Sequence, residues 1–177
     1  MKRKLASILG VAGLTAALLS ALLVAGCGGP SNEPGGGNFV DRSDMKTVAF
    51  SFSLRGTSSD SFKNYGLVRE GDSALFTADF ISRDAVEVLV GAEELDRLSE
   101  IVAKHGLDQW NGFEKSNSMV LDGSSFNLSY EYEDGFIVSA RGNNSFPKGF
   151  GEAEADLLAL FEGLLEQYDA SSATGIS

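Results

Sequence analysis

The sequence predicts an α+β fold: one mainly antiparallel sheet with two helices packed on one of its faces, in the order ββββαββα. Three observations carry that expectation. Short segments with apolar residues at every second position meet at Gly-Asp or Asp-Gly turns, as antiparallel hairpins do. Two longer segments place apolar residues three and four apart, as amphipathic helices do. Runs of strands are followed by single helices, which suits a layer of helices on one side of a sheet.

Residues 46–54 alternate. Val48, Phe50, Phe52 and Leu54 share one face, and Thr47, Ala49, Ser51 and Ser53 the other, so this is a strand with one buried side. Residues 55–64 are polar and turn-rich and read as a loop. Residues 65–70 and 73–80 form a hairpin closed by Gly71-Asp72. A two-residue connection pairs Glu70 with Ser73 and Leu67 with Phe76, which gathers Tyr65, Leu67, Phe76, Ala78 and Phe80 on one side. Residues 85–90 give a fourth strand, with Val86, Val88 and Val90 on one face.

Residues 92–105 read as a helix. Leu95, Leu98, Ile101 and Val102 follow the helical spacing, Glu93 and Glu94 suit the first turn, and Gly106 can close the end. Residues 107–113 form an irregular connection whose Trp110 and Phe113 read as core plugs, with a ligand platform as the alternative. Residues 124–132 and 136–141 form a second hairpin. A two-residue loop would set Leu128 against Arg141 and split the apolar face. A three-residue loop, Glu133-Asp134-Gly135, pairs Tyr132 with Phe136, Tyr130 with Val138 and Leu128 with Ala140, with Gly135 left-handed. After a loop containing Phe146-Pro147, residues 152–168 make the last helix, burying Leu157, Leu160, Phe161, Leu164, Leu165 and Tyr168. The domain is therefore 46–168, and 169–177 is expected to fray.

Ahead of it stand a basic start, Met1-Lys2-Arg3-Lys4, and an uncharged apolar run over 6–25. Small residues then precede the single cysteine in Leu22-Leu23-Val24-Ala25-Gly26-Cys27. These are the parts of a secretory signal, 1–26. A membrane-spanning helix is the competing reading, but the run ends in Gly-Cys-Gly-Gly-Pro with no basic flank behind it. Val24-Ala25-Gly26-Cys27 resembles the lipobox of bacterial lipoprotein precursors. The resemblance implies cleavage before Cys27 and a diacylglyceryl thioether on its sulfur. Membrane lipid is then a partner through diacylated Cys27, and the chain sits on the extracytoplasmic side of the cell membrane. Two acyl chains hold stably where one holds marginally. The remainder of 27–45 is rich in Gly, Pro and polar residues and reads as a flexible tether.

Loss of Lys2, Arg3 and Lys4 with the leader takes 14 basic residues to 11 against 25 acidic ones, a formal charge of −14. Such a chain disfavours nucleic acid and anionic headgroups as partners. With the one cysteine lipidated, no thiol remains for a disulfide, a thiolate metal site or a nucleophile. Twelve phenylalanines supply a core instead. Trp110-Asn111-Gly112-Phe113, followed by Leu121-Asp122-Gly123, resembles a pattern of uncharacterised bacterial envelope lipoproteins over about residues 90–165. That resemblance implies location and no activity.

Catalytic parts are sparse. His105 is the only histidine, falls at a helix end, and has no nucleophile-elbow motif to serve. Asp79 with Asp84, and Glu131 with Glu133 and Asp134, are the carboxylate pairs a hydrolase of envelope glycan or peptide would use, but turns and strand solvation explain them. The sequence points to no metal site and no cofactor. One feature remains. With both helices on one side, the other face of the sheet shows Thr47, Ser51, Ser53, Thr77, Asp79, Asn127, Ser129, Glu131, Ser139 and Arg141, with Ile137 as an apolar spot. The reading is a non-catalytic binding or structural module whose hydroxyl-rich face docks an envelope protein or glycan.

Overall fold

The computed structural model describes residues 42, 45–57, 62–119 and 123–173. The leader, Cys27 and the tether up to residue 41 lie outside the described residues. In chain order the elements are β1 (Thr47–Arg55), β2 (Lys63–Glu70), β3 (Ser73–Phe80), β4 (Val86–Gly91), α1 (Glu93–His105), β5 (Glu114–Ser116), β6 (Ser125–Tyr132), β7 (Ile137–Asn143) and α2 (Phe150–Ala173). The strands form one sheet, β4-β3-β2-β1-β6-β7-β5. Every pairing is antiparallel except β5 with β7. This is the α+β fold expected.

Both hairpins take the register that apolar matching demands. Glu70 faces Ser73 and Leu67 faces Phe76 across β2–β3. Tyr130 faces Val138 and Leu128 faces Ala140 across β6–β7. Gly135 has φ 82°, and its N–H reaches the Tyr132 carbonyl at 2.9 Å. A Cβ is strained in that left-handed region, so the turn needs its glycine.

The buried strand residues all point to one side, where α1 and α2 complete a single core. In α1, Leu95, Leu98 and Val102 are buried, and Gly106 closes the helix with φ 59°. Phe161 of α2 lies at the centre of the core. Its ring is 5.0 Å from Tyr65, 5.9 Å from Phe50 and 6.2 Å from Phe76, which come from three adjacent strands. A second aromatic group forms where α2 begins: Phe150 meets Phe126 at 4.6 Å, Phe146 at 4.7 Å and Trp110 at 5.8 Å. Trp110, in a short 3₁₀ turn over Leu107–Trp110, is buried, as a core plug should be.

Three departures from the sequence reading have local causes. Thr47 belongs to the core side, not the open face. A bulge between Thr47 and Ala49 makes two residues of β1 span one step of β6, which inverts the alternation before Ala49. Thr47 is wholly buried. Its N–H donates to Ser99 Oγ at 3.0 Å, but its own hydroxyl has no partner. A buried unsatisfied hydroxyl is costly, so Thr47→Val is expected to stabilise the domain by about 1 kcal/mol in urea unfolding. A loss of stability would mean that the hydroxyl is satisfied in solution.

The second departure is β5, a seventh strand that the sequence reading left out. Its three residues are all exposed and carry no apolar alternation. They are held by β7, beginning with the Asn111 amide oxygen on the Ser139 N–H and the Gly112 N–H on the Ser139 carbonyl. The third is α2. It begins at Phe150 and runs to Ala173, past the expected end at Tyr168. Arg83 donates to both Asp169 carboxylate oxygens through its two terminal guanidinium nitrogens, at 3.0 and 3.2 Å, and Ser171 Oγ donates to the Tyr168 carbonyl.

Candidate functional site

Strand register turns the open side of the sheet into cross-strand rows. The central row reads Glu87, Thr77, Gly66, Ser51, Ser129, Ser139 from β4 to β7. On one side of it lies Asp79, Asn64, Ser53, Asn127, Arg141, Glu114. Nine of the ten residues expected there, Ser51, Ser53, Thr77, Asp79, Asn127, Ser129, Glu131, Ser139 and Arg141, share this face, and Thr47 alone has turned to the core. Eight of them occupy these two polar rows. Short side chains and the bare backbone of Gly66 keep the middle flat. A Cβ on Gly66 would run into the Thr77 hydroxyl.

Glu131 falls in the row on the other side, and that row is apolar: Leu89, Leu75, Val68, Ala49, then Glu131 and Ile137. Leu89, Val68 and Ile137 are 59, 41 and 43% exposed. The sequence reading found only Ile137. The row was within reach of register arithmetic, because the first hairpin that seats Leu67 and Phe76 in the core must turn Val68 and Leu75 outward. The face is therefore banded, apolar along one margin and polar across the rest.

The polar bands end in a groove of about 580 Å³ at the Arg55 end of β1. Ser53, Asn127 and Arg141 of the expected face line it, joined by Arg55, Asn143 and Phe62. The other six expected residues lie on the flat part of the face. Arg141 forms an ion pair with Glu114 of β5, and both side chains are largely exposed. The missed strand thus supplies the carboxylate next to the arginine.

The opposite end of the sheet is where the chain enters the domain. The guanidinium of Arg42 lies 3.7 Å from the centre of the Phe136 ring and donates to Asp134 at 3.2 Å. The Glu133 N–H donates to the Lys46 carbonyl. The Phe136 N–H and then Arg42 hold the Asp134 carboxyl below its ordinary range. From Thr47 to Arg55 is eight strand steps, roughly 26 Å. The groove and the entry of the chain sit at opposite ends of β1.

The two acidic groups considered for hydrolysis, Asp79 with Asp84 and Glu131 with Glu133 and Asp134, stand apart on the sheet. Asp79 is on β3, three strands from Glu131 on β6, a separation of roughly 14 Å or more. Asp134 is committed to its turn. His105 is mostly buried and bonds Asp156 of α2 at 2.7 Å, so it ties the two helices together. Among the described residues no group of three His, Cys, Asp or Glu could hold a metal ion. No described helix is long and apolar enough to cross a membrane.

Asp108, a carboxylate that the sequence did not single out, holds two buried partners. Its Oδ1 accepts the Tyr130 hydroxyl at 2.5 Å and the Tyr132 hydroxyl at 2.6 Å. Burial first, and the hydrogen bond to Asp108 second, push both phenols above their ordinary range and keep them protonated donors. The cluster joins the 3₁₀ turn to β6 on the core side, so it supports the sheet from beneath.

No family model and no curated protein matches this chain.

Proposed function

We propose that this chain is a membrane-tethered, non-catalytic binding module of a bacterial cell envelope, and that the open face of its sheet docks an envelope partner. One observation carries the reading. Both helices and the whole core lie on one side of the sheet, and among the described residues nothing packs on the other. A monomeric domain rarely leaves so many exposed apolar side chains in one row beside a flat polar surface without a partner for them. The lipobox-like Val24-Ala25-Gly26-Cys27 and the Gly- and Pro-rich 28–44 support the tether. The position of Arg42 supports its direction, because it lies at the end of β1 away from the groove.

Two measurements test the reading. Cys27→Ser is expected to block processing and to leave a precursor of unprocessed size. Membrane-bound Cys27→Ser protein of mature size would refute the anchor. Ser129 sits between Ser51 and Ser139 in the flattest row, so Ser129→Trp is expected to cut in-cell crosslinking to the envelope partner at least tenfold without loss of fold. Undiminished crosslinking in a folded Ser129→Trp protein would refute the face.

A further inference from the structure

We propose that the groove at the Arg55 end of the sheet binds an acidic saccharide, a short sugar chain bearing carboxylates. This rests on the reading of the open face as a docking surface and names the chemistry of its occupant.

Charge is the first ground. The chain without its leader carries 25 acidic residues, yet among the described residues the groove is lined by three cations, Arg55, Lys115 and Arg141, and one carboxylate, Glu114. Elsewhere the cations are largely neutralised in place: Arg42, Lys46, Lys63, Arg83, Arg97 and Lys104 each meet a carboxylate. Arg55 and Lys115 meet none among the described residues. On an acidic chain, a groove that sets two cations without a carboxylate partner beside the paired Arg141 has local attraction for an anion.

Side-chain chemistry is the second. Asn127 and Asn143 offer amides that both donate and accept, as sugar hydroxyls require. Phe62 adds an apolar wall for the C–H side of a sugar ring. A guanidinium matches a carboxylate with two parallel hydrogen bonds. By strand geometry the Cα atoms of Arg55 and Arg141 are two strands and two residues apart, roughly 12 Å, so the pair spans an extended ligand instead of clamping one small ion. The groove volume falls within the range of small-ligand sites. Overall charge selects among anions: a chain this acidic repels a dense polyanion such as nucleic acid, whereas a saccharide with carboxylates spaced along it reaches the cationic groove at lower cost.

Glu114 supplies the internal control. It occupies Arg141 on an exposed edge, where a ligand carboxylate can displace it. The experiment is isothermal titration calorimetry of the full chain in detergent micelles, with hexuronate oligomers and with neutral hexose oligomers of the same length. The hexuronate oligomers are expected to bind at least tenfold more tightly than the neutral ones. Arg55→Gln and Arg141→Gln are each expected to weaken that binding at least tenfold, and Glu114→Gln to strengthen it about twofold to fivefold. Equal binding of neutral oligomers, or no binding of either, overturns the proposal, and so does a Glu114→Gln variant that binds less. Asp60 and Asp122 lie outside the described residues and are tested as Asn variants. Unchanged or tighter binding is expected, and loss of binding would mean a cation-bridged site in place of a cationic groove. If the saccharides fail while Ser129→Trp still abolishes crosslinking, the face stands and only its occupant changes.

Discussion

Phe161→Ala is expected to destabilise the domain by about 3–5 kcal/mol, read from chemical or thermal unfolding of the purified chain. The ring is fully buried and touches Phe50, Tyr65 and Phe76, so one side chain of α2 joins β1, β2 and β3. Alanine removes that contact with three strands at once and leaves a cavity between a helix and a stiff sheet, which closes poorly. The loss is a large fraction of the 5–15 kcal/mol that holds a typical domain together. Phe161→Leu keeps most of the volume and loses the stacking, and a cost of about 1–2 kcal/mol is expected. An alanine variant within 1 kcal/mol of the parent would show that α2 is not what secures this side of the sheet.

Asp108→Ala is the second large effect, about 2–5 kcal/mol, because it strands two buried hydroxyls on one side and removes a charge-assisted acceptor. A double-mutant cycle separates these contributions. In a Tyr130→Phe/Tyr132→Phe background the same Asp108→Ala change is expected to cost less than 1 kcal/mol, since no donor is then left unpaired. An equal cost in both backgrounds would place the role of Asp108 in the 3₁₀ turn and not in the phenol pair. Loss of the cluster is also expected to loosen β6, the strand that carries Asn127, Ser129 and Glu131 on the open side.

Much of this architecture is legible in the sequence because apolar matching leaves little freedom. The Tyr130–Val138 and Leu67–Phe76 pairings follow from asking which register puts apolar opposite apolar, and the same arithmetic places Arg141 against Asn127. What escaped lacks such a signature. The bulge at Thr47 depends on how β1 meets a strand more than seventy residues away, and nothing in Lys46-Thr47-Val48 announces it. β5 is three polar residues that pair through backbone alone, so neither period nor composition marks it. The site divides the same way. The nine face residues follow from alternation, whereas the groove needs the convergence of Arg55, Phe62, Glu114 and Asn143 from four separate segments, which no local pattern encodes. Asp108 looked like one acid among many, because its partners lie more than twenty residues further on.

The position of β4 at the margin of the sheet has a consequence for solubility. Val86-Glu87-Val88-Leu89-Val90 has a high preference for extended structure, one charge and no proline, and among the described residues no strand pairs with its outer side. Native margins are ordinarily guarded by lysine, proline, a bulge or a covering loop, and a bare one is a template for strand-by-strand accretion of further copies. Here mutual repulsion between strongly negative molecules takes over that task. The acidity of the chain therefore acts as colloidal protection. Lowering the pH into the carboxylate range is expected to remove it and to raise light scattering from the purified chain, and a charged substitution at Leu89 is expected to suppress that rise.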